Sequence, residues 1–128
     1  MENIASDFNL VYQVDRRGVH VSKFDQLLEH SGLQKQVLAN LLGLDPRTID
    51  NYRKQGRNFP SLAGELLLKI TQLFSVGEEV FGSVEAFRDW LAAPSEVFER
   101  SPIKFLHTST GVVLIQKALL RIAYGYAV

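Results

Sequence analysis

Cysteine is absent from the 128 residues, which excludes disulfides, thiolate metal sites and zinc fingers while leaving a reducing compartment permitted. No apolar run approaches the roughly 18 residues that a membrane span needs, so no membrane partner is expected. Met1 to Leu10 carries Glu2 and Asp7 and lacks a basic stretch followed by an apolar one, so it does not read as a signal peptide and a cytoplasmic location is expected. There is no glycine-rich phosphate loop, no internal repeat and no low-complexity linker. Candidates for catalysis are equally scarce. His20, His30 and His107 stand apart from any partner at metal-ligand spacing, and the adjacent Glu78 and Glu79 point to different faces of a helix. His107-Thr108-Ser109-Thr110 reads as capping residues rather than as a nucleophile beside a base. No catalytic residue, metal or cofactor is expected, and the chain is read as a non-enzyme.

What is present is an apolar share of 46% with 22% charged residues, the balance of a folded globular protein. The length suits one domain, or two small helical modules sharing a core. Fourteen basic and fourteen acidic residues give zero formal net charge, but they are unevenly placed. Residues 1–33 sum to −2, 34–57 to +3, 58–100 to −4 and 101–128 to +3. A local +3 can hold phosphate while the remaining surface stays neutral or acidic.

Long apolar–polar alternation is missing and the four prolines fall where helices could begin or end, so an all-α fold is expected. For residues 1–17 two readings stand: a helix capped by Ser6 with Phe8, Val11 and Tyr12 on one face, or a hairpin pairing Leu10–Val14 with Val19–Val21. Ser22 reads as the cap of a helix that Gly32 closes, with Phe24, Leu27 and Leu28 inward. Gln34–Leu42 forms the next, and Asp45-Pro46 supplies an N-cap acceptor followed by proline at the first helical position. Pro46–Gln55 follows, ended by Gly56, and Asn58-Phe59-Pro60 reads as a break. Ser61–Phe81 is one long helix with Leu62, Leu66, Ile70, Leu73 and Val80 on a shared face and Leu67, Phe74 and Phe81 beside it. Gly82-Ser83 stops it and caps another helix reaching Trp90-Leu91. Ser101-Pro102 repeats the cap-then-proline signal for a short helix. The last runs from near Thr110-Gly111 to about Tyr124, with Val112, Ile115, Leu119 and Ile122 as its core stripe. The expected organisation is an N-terminal segment (1–17), a helix-turn-helix module (18–60), a connecting and dimerisation helix (61–82) and a C-terminal domain (83–128).

A helix-turn-helix needs a small residue where its helices cross, a glycine in the turn, and branched apolar residues beneath the second helix. Counting Lys35 as the first place, Ala39 is fifth, Gly43 ninth, Leu44 tenth, Ile49 fifteenth and Tyr52 eighteenth. With Ile49 and Tyr52 turned inward, Arg47, Asp50, Asn51 and Lys54 face outward. Arginine can bond guanine twice and asparagine adenine twice, so Arg47 and Asn51 are candidate base readers, and Lys54 suits base or phosphate. Asp50 either accepts from a cytosine amino group or pairs with Lys54 one turn on, and the pairing is the expected outcome. Lys35, Gln36, Arg53 and Arg57 are placed to meet phosphates. Operator DNA is therefore an expected partner, bound by a homodimer or a higher complex, since one recognition helix reads too few base pairs.

Several stretches together carry a resemblance: Gly43-Leu44-Asp45-Pro46-Arg47-Thr48-Ile49, Glu79-Val80-Phe81-Gly82-Ser83, Trp90-Leu91, Ser101-Pro102, Thr108 with Gly111, and Leu120-Arg121-Ile122 followed by Tyr124-Gly125. From about Gly18 onward the chain resembles the Xre/MbcA/ParS antitoxins, which join a helix-turn-helix to a C-terminal toxin-binding domain. The resemblance implies an antitoxin that neutralises a cognate RES-type, NAD-attacking toxin and represses its own operon. It implies toxin contact through Trp90, Arg121 and the tail Tyr124, Gly125, Tyr126, Ala127 and Val128. There Tyr126 would be an aromatic anchor in the toxin's NAD-binding cleft and the Val128 carboxylate would meet a phosphate-holding basic group. Two departures stand out: Phe98-Glu99-Arg100 replaces a Gly-Gly that relatives carry before the Ser/Thr-Pro pair, and Ala123 stands where they commonly have an acid. A stand-alone phage-type repressor, its second half serving only dimerisation, is the alternative.

Overall fold

The computed structural model of the chain describes residues 18–125. Both readings of residues 1–17 thus lie outside the described residues, as do the tail positions Tyr126, Ala127 and Val128. Element order is β1 (Val19–His20), α1 (Ser22–Ser31), α2 (Lys35–Leu41), α3 (Pro46–Gln55), β2 (Asn58–Phe59), α4 (Ser61–Phe81), α5 (Val84–Ala92), a 3₁₀ turn (Pro102–Phe105) and α6 (Ser109–Tyr124). The all-helical expectation holds but for one two-residue ladder, in which Val19 faces Phe59 and His20 faces Asn58, antiparallel.

Local chemistry sets most boundaries. Asp45 Oδ1 accepts from the Arg47 backbone N–H at 2.8 Å and Pro46 starts α3, which ends at left-handed Gly56. Gly82 closes α4 by donating to Glu78 O at 2.8 Å, and Ser83 Oγ then accepts from Ala86 N at 3.1 Å to begin α5. Thr108 Oγ1 accepts from Gly111 N at 3.0 Å, which starts α6 at Ser109.

Five expectations need correction. Val21, not Ser22, is the N-cap of α1, and the Ser22 hydroxyl lies 3.0 Å from His20 Nδ1. Asn58–Phe59 is a strand and not a break, because β1 supplies it a partner. Ser101 holds the N-cap position ahead of Pro102 as expected, but its hydroxyl makes no cap bond; it donates to Ala92 O at 2.9 Å and so ties the 3₁₀ turn to the end of α5. Leu62 is 82% exposed, since it precedes the point where α4 meets its neighbours, and Leu68 is buried further along. Ile122 is 49% exposed, so the last core position of α6 is Leu119.

Helix α4 is the hub on which α1, β1, α5 and α6 pack. Leu67, Ile70, Leu73 and Phe74 meet Phe24 and Leu27 of α1, Phe87 and Leu91 of α5, and Ile115 and Leu119 of α6 in one continuous core. Each such fully buried side chain contributes about 1.5–3 kcal/mol. Two polar links reinforce the junction between the first and second halves. Arg88 Nη1 of α5 donates to Ser31 O at the C-terminal end of α1 (2.9 Å), and His30 Nε2 lies 2.8 Å from Glu78 Oε1 of α4. Because the core runs through both halves, the recognition helix and the C-terminal surface belong to one packed body.

Candidate nucleic-acid interface and C-terminal groove

Helices α2 and α3 cross where Ala39 is fully buried, and the missing bulk at that position lets them approach. Gly43 then turns the chain at φ +73°, a left-handed conformation that a side chain would strain, and Leu44 N returns a hydrogen bond to Ala39 O at 3.0 Å. Ile49 is fully buried beneath α3. Tyr52 is half-buried with its ring edge-on to Phe59, 5.6 Å between centroids, so β2 props the recognition helix from behind. The five positions from Ala39 to Tyr52 therefore play the structural parts that their spacing implies.

The outward face carries Arg47, whose side chain is 89% exposed, with Asn51 and Lys54 also exposed. Gln36 on α2 is exposed beside them. Arg57 lies over the Tyr52 ring at 5.0 Å, which fixes its stem while leaving the residue exposed.

Asp50 is differently engaged from the expected pairing with Lys54. Its Oδ1 accepts from Lys35 Nζ at 2.5 Å and from Arg53 Nη1 at 2.8 Å, while Arg53 Nη2 reaches Asp25 Oδ1 of α1 at 2.6 Å. An ion chain Asp25–Arg53–Asp50–Lys35 so joins α1, α3 and α2. The bonds from Lys35 and then Arg53 hold the Asp50 carboxyl below the usual carboxylate range, and the Asp25 bond raises Arg53. Asp45 is likewise lowered, chiefly by the Arg47 backbone N–H. Two of the four expected phosphate contacts, Lys35 and Arg53, consequently meet carboxylates in this structure, whereas Gln36 and Arg57 do not. Asp25 was not singled out by sequence reasoning, because nothing local marks an α1 carboxylate as facing a residue 28 positions on.

In the second half, Trp90 is half-buried and stacks on Phe87 (6.0 Å) and Phe81 (5.5 Å). Arg121 lines a groove of about 510 Å³ together with Val97, Phe98, Phe105, Leu114, Lys117 and Ala118. Tyr124 is 62% exposed and Gly125 is the left-handed C-cap of α6, donating to Arg121 O at 2.7 Å. Val97 (71%), Leu114 (42%) and Val113 (44%) expose further apolar surface around that groove. Apolarity all round α6 signalled such a surface, but not which loop would form its other wall. That wall is the Ser95–Arg100 turn, where Glu99 takes φ +61°.

Each of the three histidines has a partner: Ser22 for His20, the distant Glu78 for His30 and Lys104 O for His107 (2.9 Å). None of the described helices is long and apolar enough to cross a membrane.

Residues 11–71 match the family model for the antitoxin Xre-like helix-turn-helix domain, and residues 76–125 match that for the antitoxin Xre/MbcA/ParS C-terminal toxin-binding domain. The first match ends and the second begins inside α4, with residues 72–75 between them. Comparison with curated proteins gives no match.

Proposed function

We propose that this chain, which belongs to the Xre/MbcA/ParS antitoxins, neutralises a RES-type toxin through its C-terminal half and represses its own operon through α2 and α3. As an antitoxin it acts by binding. The observation that carries the DNA part is the recognition helix: Ile49 and Tyr52 seat it on the body so that Arg47, Asn51 and Lys54 stand outward together. In this reading Arg47 and Asn51 meet base edges, Gln36, Lys54 and Arg57 meet phosphates, and Lys35 and Arg53 orient the helix through their bonds to Asp50. A dimer places two such helices about 34 Å apart on a symmetric site.

The toxin part of the proposal rests on the groove beside α6 and on the tail that follows it. Residues Phe105, Leu114 and Arg121 offer an apolar floor with a cationic edge, and Tyr124 is exposed at the end of α6. The tail enters the toxin's NAD-binding cleft, with Tyr126 as the aromatic anchor.

Co-expression with the cognate RES-type toxin tests this, comparing the full chain with a deletion of residues 126–128. That deletion spares the Gly125 cap and so leaves α6 intact. Full-length chain is expected to restore growth, and the deletion to bind toxin without restoring it. Full rescue by the deletion moves inhibition from the tail to the groove, and failure of the full-length chain to rescue or to bind refutes the RES assignment. A gel shift on DNA upstream of its own gene tests repression, and equal affinity for unrelated DNA refutes it.

A further inference from the structure

The recognition helix presents a carboxylate that its bracing role does not use up. At about 100° per residue, Asp50 lies on the flank of α3 between buried Ile49 and outward Asn51. Its side chain is 42% exposed. Both of its hydrogen bonds, from Lys35 Nζ and Arg53 Nη1, fall on Oδ1. No described residue donates to Oδ2. A carboxylate with one oxygen fixed by two cations has few orientations left, so the second oxygen is aimed rather than floppy. Lys35 starts α2 and Asp25 sits on α1, so the brace reaches two other helices and holds that aim against the body of the protein.

We infer that Asp50 is a specificity-determining residue of α3: it grips Lys35 and Arg53 with Oδ1 and offers Oδ2 to the exocyclic amino group of a cytosine in the major groove. The inference rests on the DNA-binding reading above. The chemistry favours cytosine because an ionised carboxylate only accepts. Cytosine shows a lone amino donor in the major groove, whereas adenine sets an acceptor nitrogen beside its amino group and guanine shows acceptors alone. Against guanine or thymine the same oxygen meets acceptors or a methyl group, and against adenine the ring acceptor beside the amino group, so it weakens wrong sites as well as strengthening the right one. Lys35 and Arg53 keep the carboxylate ionised and offset part of its repulsion from the DNA backbone. Exposed Arg47 and Asn51 supply the neighbouring contacts.

The test is selection of duplexes from a random pool by the full chain, followed by fluorescence-anisotropy titrations at fixed salt against every single-base variant of the selected site. Wild-type protein is expected to prefer cytosine by about tenfold at one position of each half-site. Asp50→Asn, with circular dichroism like wild type, is expected to shift that position toward adenine and leave the others unchanged, because an amide both donates and accepts. Identical preferences at every position in wild type and Asp50→Asn overturn the inference and leave Asp50 as a brace only. Should Asp50→Asn fail to fold, the wild-type protein is titrated against duplexes in which 2-pyrimidinone, lacking the amino group, replaces each cytosine in turn. About a tenfold loss at one position supports the assignment, and equal losses at all of them overturn it. A wild-type chain that selects no motif refutes the DNA-binding reading itself, an outcome distinct from a motif that ignores Asp50.

Discussion

Replacing Gly111 by alanine should unfasten the C-terminal half. A methyl group built on its Cα would lie 1.6 Å from the carbonyl oxygen of Phe105 and 2.7 Å from that carbonyl carbon. An ordinary carbon–oxygen contact is about 3.3 Å, so the two backbones must part by about 1.7 Å. Neither side can give cheaply. Phe105 belongs to the 3₁₀ turn that Pro102 and Leu106 anchor, Pro102 buried and Leu106 fully so. Gly111 itself is held by the Thr108 cap. Overpacking of this kind costs typically 1–3 kcal/mol and sometimes more, and the better helix propensity of alanine returns at most about 1 kcal/mol. With the gap opened around Leu106 added, a net loss of about 2 kcal/mol is expected. Thr108→Ala, which removes only the cap, should lose about 1 kcal/mol. Urea unfolding of wild type and both variants gives the ordering. Phe105 lines the groove, so toxin binding should weaken in Gly111→Ala more than operator binding does. A Gly111→Ala protein within about 0.5 kcal/mol of wild type would refute the account of this contact, since ordinary surface changes are no larger.

Arg47→Ala and Asn51→Ala should each lose about 1–3 kcal/mol of discrimination at particular bases in gel-shift titrations, whereas Lys54→Ala should weaken all sequences and lower the salt slope by about 1. Removing Arg53, already bonded to two carboxylates, should change the salt slope less than removing Lys54 does, and an equal change would show that DNA displaces Asp25 and Asp50 fully. Asp50 has its folded pKa lowered from 3.8, so the stability it contributes is complete above that ordinary value and is lost as pH falls through the folded one. Urea midpoints should therefore hold down to about pH 5 and drop in more acid solution, the drop being smaller in Asp50→Asn; equal acid loss in both proteins would remove Asp50 as a source. Glu99→Gly relieves a left-handed conformation worth about 1–2 kcal/mol and loosens the unfolded chain by about 0.5–1 kcal/mol, so a small gain in stability is expected, and a loss would mean that the Glu99 side chain holds the turn.

Where a side-chain cap, a proline or a left-handed glycine marks a boundary within one turn, the sequence is mostly sufficient, although the N-cap of α1 is Val21, one residue ahead of the expected Ser22. Pro46–Gln55 and Ser61–Phe81 were read with their observed ends, because Asp45, Pro46, Gly56, Gly82 and Ser83 act within one turn of where they stand. The β1–β2 ladder was missed for the opposite reason: two residues are too few to alternate, and Val19 finds Phe59 only once α1 to α3 have folded between them. Helical periodicity gave apolar stripes but not their partners. Leu62 and Ile122 fit their stripes and are nonetheless exposed, since Leu62 lies in the first turn of α4, ahead of its packed stretch, and Ile122 in the last turn of α6.

The same division between local and distant causes governs the site. The spacing from Lys35 to Tyr52 identified the helix-turn-helix because each motif position answers to a neighbour within about twenty residues. The local i,i+4 rule pairs Asp50 with Lys54, whereas the fold gives it the i,i+3 neighbour Arg53 and, from another helix, Lys35. An exposed i,i+4 pair is worth only a few tenths of a kcal/mol, so any cation that the fold brings closer takes the carboxylate instead. Arg53 lies one turn along α3 from Asp50 and reaches it without any tertiary contact, whereas Lys35, at the first turn of α2, is brought there across the α2–α3 crossing at buried Ala39. The close crossing at one alanine therefore decides whether Lys35 braces the recognition helix. Enlarging Ala39 would part α2 from α3, separate Lys35 from Asp50 and tilt Arg47 and Asn51 together, so the crossing and the reading face form one mechanical unit.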